Sequence, residues 1–243
     1  MLSREEFTEA ARASGVSQGA VDEILRCLRP CVVINRDKVG EPVGRWEHEE
    51  EEEMVVFLDC AALPHRHLDL GLGLPGSGSL VLEPAASPRW LPGSYADELT
   101  DSEESGELHA YAAWTLAEWY TYIEDREHPA TMHPALEEAM AEYRRCHGPM
   151  ELLDKGYFAP DRSLQLGGAM LVFASAGPLE LEMIDLDDDW DWKFTDEVVR
   201  KASFWRLFAH LHHDSGFEYL WLVHREDTAM ERYDEIEWMT HLE

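Results

Sequence analysis

Apolar residues recur along this chain with two different spacings, and each spacing predicts a different element. In the stretch 18–28, Val21, Ile24, Leu25 and Leu28 fall at i, i+3, i+4 and i+7, which places them on one face of an amphipathic helix. Ser17 can cap its start, and Pro30 stops it. Ahead of it, Ser3 and Glu6 fit a capping box and Gly15 can end a first helix, so residues 3–29 read as a helical pair. Cys31-Val32-Val33-Ile34-Asn35 then reads as a short strand. Met54-Val55-Val56-Phe57-Leu58-Asp59 is a continuous apolar run of strand length, the pattern of a strand buried on both faces. A glycine-rich stretch from Leu70 feeds a further strand at Ser79-Leu80-Val81-Leu82. Leu179-Glu180-Leu181-Glu182-Met183-Ile184 alternates as a half-buried strand does, and Phe217-Glu218-Tyr219-Leu220-Trp221-Leu222-Val223 is also a strand.

Residue type rather than spacing decides the remaining segments. Residues 108–127 carry Tyr111, Trp114, Trp119, Tyr120 and Tyr122 among alanines and read as the strongest helix of the chain. A second helix is predicted over 135–146, with Pro134 in its first turn. Residues 84–107, rich in Pro, Ser, Gly, Asp and Glu, read as a mobile loop. Glu47 and the glutamates at 49–53 repel one another, which predicts an extended, solvated loop. Residues 196–206 read as a helix capped by Thr195, 206–213 as either strand or helix, and 227–233 as a short helix.

Composition changes the picture in one respect. The chain has 243 residues, 45% of them hydrophobic, enough for a substantial core, yet 50 acidic residues stand against 20 basic ones for a net charge of −30. Such a field repels phosphate backbones and anionic lipid, so nucleic-acid and membrane partners are not expected. Basic protein surfaces are the favoured partners, because long-range attraction speeds their encounter. The plainer alternative is an acidic surface that serves solubility. No apolar run reaches membrane-spanning length, and the start lacks the pattern of a secretion signal, so the expected compartment is the cytoplasm. Cys27, Cys31 and Cys60 lie among aliphatic residues and read as reduced, buried thiols, and Cys146 stands apart.

Three constellations carry candidate chemistry. His210, His212 and His213 with Asp214 could ligate a metal if H-x-H lies on a strand, but the H-E-x-x-H of a metalloprotease is missing, and nothing places His65 or His67 nearby. Asp185, Asp187, Asp189 and Asp191 alternate like a calcium loop with Asp196 at its twelfth place, yet Trp190 holds the position that requires glycine and the twelfth lacks the bidentate glutamate. There is no G-x-S-x-G, and Cys60 sits in the apolar context of an inert thiol. The sequence therefore assigns no catalytic residue, no metal ligand and no cofactor, and the balance leans away from an enzyme.

Three stretches resemble the YwqG-like family, bacterial proteins without an established activity. They are Met54 to Leu63 together with Leu74-Pro75-Gly76-Ser77-Gly78-Ser79-Leu80; Leu164-Gln165-Leu166-Gly167-Gly168; and the region from Phe208 to Trp238, with Tyr219-Leu220-Trp221-Leu222 and Arg225-Glu226-Asp227. Ala169-Met170 follows the paired glycines where members usually carry tyrosine-proline. The resemblance implies an α+β fold with an antiparallel β-sheet core, to which this chain's own pattern adds flanking helices and an N-terminal helical pair. Residues 1–30 would form a helical segment, and 31–243 one domain with a helical insertion at about 84–160. It also implies a likeness in style to proteins found beside bacterial toxin systems, hence an immunity-like role.

The leading expectation is an acidic cytoplasmic protein that binds a basic protein partner. Trp46, Glu49, Glu50, Glu51, Asp185, Asp187, Asp189, Trp190, Asp191 and Trp192 are the candidate contact residues: carboxylates to steer, indoles to anchor. One rival is a small-molecule-binding protein or hydrolase with an aromatic pocket among Trp114, Trp119 and the Gly167–Gly168 turn. The other is a metal-dependent hydrolase using the His210–Asp214 cluster.

Overall fold

A computed structural model describes residues 4–48, 54–64, 70–99, 105–116, 134–147, 164–168, 204–212, 217–224, 226–227 and 235–242. Among them, two N-terminal helices, α1 (Arg4–Ala13) and α2 (Gln18–Cys27), precede ten strands and a third helix, α3 (Pro134–His147). The strands are β1 (Leu28–Asn35), β2 (Glu41–His48), β3 (Met54–Asp59), β4 (Ser79–Leu82), β5 (Arg89–Leu91), β6 (Ser105–Leu116), β7 (Leu164–Gly167), β8 (Trp205–His212), β9 (Phe217–His224) and β10 (Glu237–Leu242). They form one antiparallel sheet in the order β10-β9-β8-β7-β1-β6-β2-β3-β4-β5, curled into a half-barrel. The expected α+β class with its antiparallel core is what the structure has.

The curl is visible in contacts between distant strands. β9 and β4 are seven positions apart in the sheet, roughly 34 Å if it were flat. Yet the indole N–H of Trp221 on β9 donates to the carbonyl of Ala86, in the turn after β4, at 2.7 Å. Beside it, the Ser87 hydroxyl donates to the carbonyl of Ile236, just before β10, at 3.1 Å. The segment after β3 crosses the same interior. Cys60, Leu63 and Leu72 are buried there with core residues of β1, β4 and β6–β9, and Arg206 on β8 donates to the Gly71 carbonyl at 3.4 Å. Gly71 has φ +63, and a Cβ added there would come within 2.4 Å of the Arg206 guanidinium.

The β1–β2 turn is built by one buried side chain. The Asn35 carbonyl oxygen accepts from the backbone N–H of Asp37 and of Val39, while its amide donates to the carbonyls of Val39 and His109. All of that is satisfied at 3% exposure, as a buried amide requires. Gly40 follows with φ +97, and a side chain there would meet the Ala110 carbonyl at 2.0 Å.

The helices form a second cluster. Phe7, Val21, Ile24, Leu136, Met140 and Tyr143 pack together, with Phe7 stacked on Tyr143 at 5.6 Å, and Trp114 of β6 joins them to the sheet. Ser17 caps α2 as its sequence predicts, accepting from the Ala20 N–H. Its own N–H and hydroxyl donate to the Glu142 carboxylate of α3, at 2.7 and 3.0 Å.

Several expectations are corrected. The stretch read as the strongest helix begins as β6, because its backbone pairs with both β1 and β2. Buried Leu108 and Ala110 alternate with Glu107 and His109, a two-residue period that the alanine content obscures. Residues 84–107 are not one loop: they supply β5, a 3-10 turn at Tyr95–Asp97 and the start of β6, and Pro84 and Pro88 are buried. The span read as a helical insertion thus contributes strands, one of them central, with α3 as its described helix. Residues 41–48 form a strand, Trp205 and Arg206 belong to β8 rather than to a helix, and β10 is unforeseen. Residues 179–184 and 196–203 lie outside the described residues.

Two outcomes are expected. Trp221→Phe should lower unfolding free energy by about 2–3 kcal/mol in chemical denaturation, since it strips the Ala86 carbonyl of its donor and leaves a small void. The two Ser17 donors hold the Glu142 carboxyl below its ordinary value of 4.5. A depressed carboxyl stabilises the fold above its unfolded pKa, and that contribution is lost as pH falls through the folded one. Thermal melts of Glu142→Gln should therefore sit below wild type at pH 7 and converge with it as the pH drops below about 4, the carboxylate range.

Candidate functional site

Of the predicted contact residues, Trp46 on β2 lies among the described residues. Trp46 lies opposite Val56, half-buried against the interior cluster. Its seat requires Gly106 on the neighbouring strand, where a Cβ would meet the indole nitrogen at 2.5 Å. The Arg36 guanidinium sits 4.0 Å from the ring centroid, and His48 meets the ring edge-on at 5.3 Å. Arg36 also contacts the Met54 sulfur. One face of the ring is thus already covered by a cation of the same chain, which is the contact a basic partner would otherwise make.

Glu47 belongs to the opposite face of β2. The register sets it beside Val55 and Ser105, on the face where Val55 packs with Phe57, Val81 and Tyr95. It is 2% exposed, so the expected solvated glutamate is a buried one. Arg45 lies near it at 3.9 Å and donates to the Ser105 hydroxyl at 2.6 Å. Along the same face, His109 bonds Glu107 at 3.0 Å and the Gly40 carbonyl at 3.3 Å. Burial, then the Asp59 charge, raises the Tyr95 hydroxyl above its usual pKa, with Arg45 opposing. The arrangement is an interleaved ionic strip that binds its own members.

The other predicted contacts, Glu49, Glu50, Glu51, Asp185, Asp187, Asp189, Trp190, Asp191 and Trp192, lie outside the described residues. So do Trp119, His65, His67, His213 and Asp214. The two parts of the supposed aromatic pocket that are described pack in different places: Trp114 with the helices, Gly167 against Leu70 and Leu72. His210 is half-buried on β8, opposite Gln165 and Leu220. Among the described residues no group of three or more His, Cys, Asp or Glu side chains could hold a metal ion, and no helix is long and apolar enough to cross a membrane.

Among the described residues the exposed large apolar side chains are Val39, in the β1–β2 turn, and two tryptophans on the outermost strands that sequence reasoning missed. Trp90 of β5 and Trp238 of β10 are 43% and 40% exposed. Trp90 opposes Leu80 and Trp238 opposes Trp221, and both partners belong to the interior cluster. Directly opposed residues share a face, so both indoles continue the core-facing register beyond the point where the core covers it. Carboxylates flank both. Glu83 and Glu98 hold Arg89 beside Trp90, while Glu235 and Glu237 are exposed next to Trp238. A tryptophan preceded by Glu235 and Glu237 was the available sequence signal, but Glu237-Trp238 gains meaning only as an edge.

No protein-family model and no curated protein matches the chain.

Cys60 is fully buried, and burial followed by the neighbouring Asp59 charge pushes its thiol up to about 11. A raised thiol stabilises the fold below its unfolded value of 9.0 and ceases to do so as pH climbs through 11. At pH 8 the native protein should alkylate at Cys60 far more slowly than the unfolded chain, by residue-resolved mass spectrometry, because burial both excludes the reagent and disfavours the thiolate. Half-buried Cys146 should react well before Cys60.

Proposed function

We propose that this is an acidic cytoplasmic interaction protein that binds a basic protein partner, in an immunity-like manner. The observation that carries the reading is the pairing of a net charge of −30 with two exposed indoles at carboxylate-flanked sheet edges. Described carboxylates at Glu5, Glu9, Asp22, Asp37, Glu41, Asp97, Glu107, Glu138, Glu226, Glu235 and Glu237 are exposed on both the helices and the sheet. Spread in this way, they draw a cationic surface from a distance, and the indoles supply desolvated contact once it arrives. Membership of the YwqG-like family is part of the proposal. Its quoted stretches span β3 and the start of β4, β7, and the run from β8 through β9 to the start of β10.

The test is capture of partners from the host lysate at two salt concentrations, with identification by mass spectrometry and then titration of the purified pair. The expected partner is basic, and raising salt from about 50 to 300 mM should weaken its binding by about tenfold or more, through slower association. Retained proteins that are neutral or acidic and indifferent to salt would overturn the reading.

A further inference from the structure

Resting on the basic-partner reading, the geometry points to a mode of binding: we propose that β10 accepts an extended, lysine- or arginine-rich protein segment as an added strand. The two ends of the sheet are managed differently. A free sheet edge is a row of unpaired N–H and C=O groups, and proteins usually blunt it with short strands, prolines or charges. β5 is blunted. It has three residues, follows buried Pro88, and carries Arg89 clamped by Glu83 at 2.5 Å and Glu98 at 3.5 Å. β10 is twice as long and carries its one carboxylate, Glu237, at its first residue. It runs six residues, Glu237-Trp238-Met239-Thr240-His241-Leu242, without proline, lysine or arginine, and pairs with β9 along its whole length. Among the described residues no strand covers its other side.

Its start is fixed in space by the rest of the fold. Ile236 is buried, and its carbonyl accepts from Ser87 beside the Ala86–Trp221 bond. The edge therefore projects from a braced corner rather than from a loose end, and a segment that pairs with it loses little further entropy on the protein side. Six residues of strand offer about 20 Å of ladder.

Side-chain chemistry selects the occupant. Trp238 is in the core-facing register and still 40% exposed, so an added strand would lay an apolar or long-chain residue over it and extend the interior by one strand. Among the described residues, Glu235 and Glu237 are exposed at the strand's entrance. Lysine and arginine satisfy both demands, with an aliphatic stem or guanidinium plane on the indole and a charge beside the carboxylates. A second copy of this chain is the obvious competitor for a free edge, but it would bring another 30 negative charges to the same place.

The test uses the full chain and two synthetic peptides of alternating Lys and Val, identical except that one is N-methylated at every residue. N-methylation throughout removes the ladder donors of both edges and keeps the charge. At low salt the unmodified peptide should bind and protect β10 amides in hydrogen exchange. The methylated peptide should bind about tenfold more weakly or worse. Glu235→Gln/Glu237→Gln should weaken the unmodified peptide several-fold, as should Trp238→Ala, with unchanged melting temperatures confirming that the variants fold. Equal binding of both peptides would mean charge attraction alone, which overturns strand addition and leaves the basic-partner reading standing. Binding of neither would overturn both. Protection of β10 that grows with protein concentration in the absence of peptide would assign the edge to a second copy and overturn the proposal.

Discussion

Ten strands in one sheet present a wide apolar face, and burying that face is the constraint on which the rest of this structure depends. Among the described residues no second sheet covers it. The helices gather instead into their own cluster around Phe7, Ile24 and Tyr143. The sheet solves the problem by curling until side chains from β1–β4 and β6–β9 share one interior, with the segment after β3 laid through it. Two hydrogen bonds from opposite ends of the sheet hold the curl, Trp221 to Ala86 and Ser87 to Ile236. Both are made at the turn between β4 and β5, where Ala85 takes a positive φ of 56 that a non-glycine residue rarely adopts. That local cost is offset by a contact that brings strands seven positions apart into one core.

The same geometry sorts the charge. Not every carboxylate stays in solvent. The register of β2 sets Glu47 beside Val55 and Ser105, buried, with Arg45 within ion-pair range. Most of the described carboxylates remain outside and give the surface its field. Trp46, by composition an apt anchor, is occupied by Arg36 and by the core. The indoles left for a partner are those at the sheet edges, where the interior runs out of cover.

Incomplete closure therefore links fold and function. A closed barrel has no edges, whereas a half-barrel has two, and here one is short and clamped while the other is long and bears an exposed tryptophan. The braced corner at Ile236 gives that edge a defined position.

Local pattern was enough to read the helical pair, the Ser17 cap, the apolar runs of β3, β4 and β9, α3, and the inert setting of Cys60. Each depends on neighbours within a turn or a strand. The acid excess was equally plain, since net charge is a sum and needs no fold. Tertiary structure alone decided that an alanine-rich stretch beginning at Leu108 is a central strand, because two flanking strands offered its backbone more than a helix could. It alone buried Glu47, tied Ala86 to Trp221, and left Trp238 uncovered on an outer edge. Those outcomes depend on which strands become neighbours across more than a hundred residues, and a pairing between distant segments leaves no mark on the spacing of residues within either one.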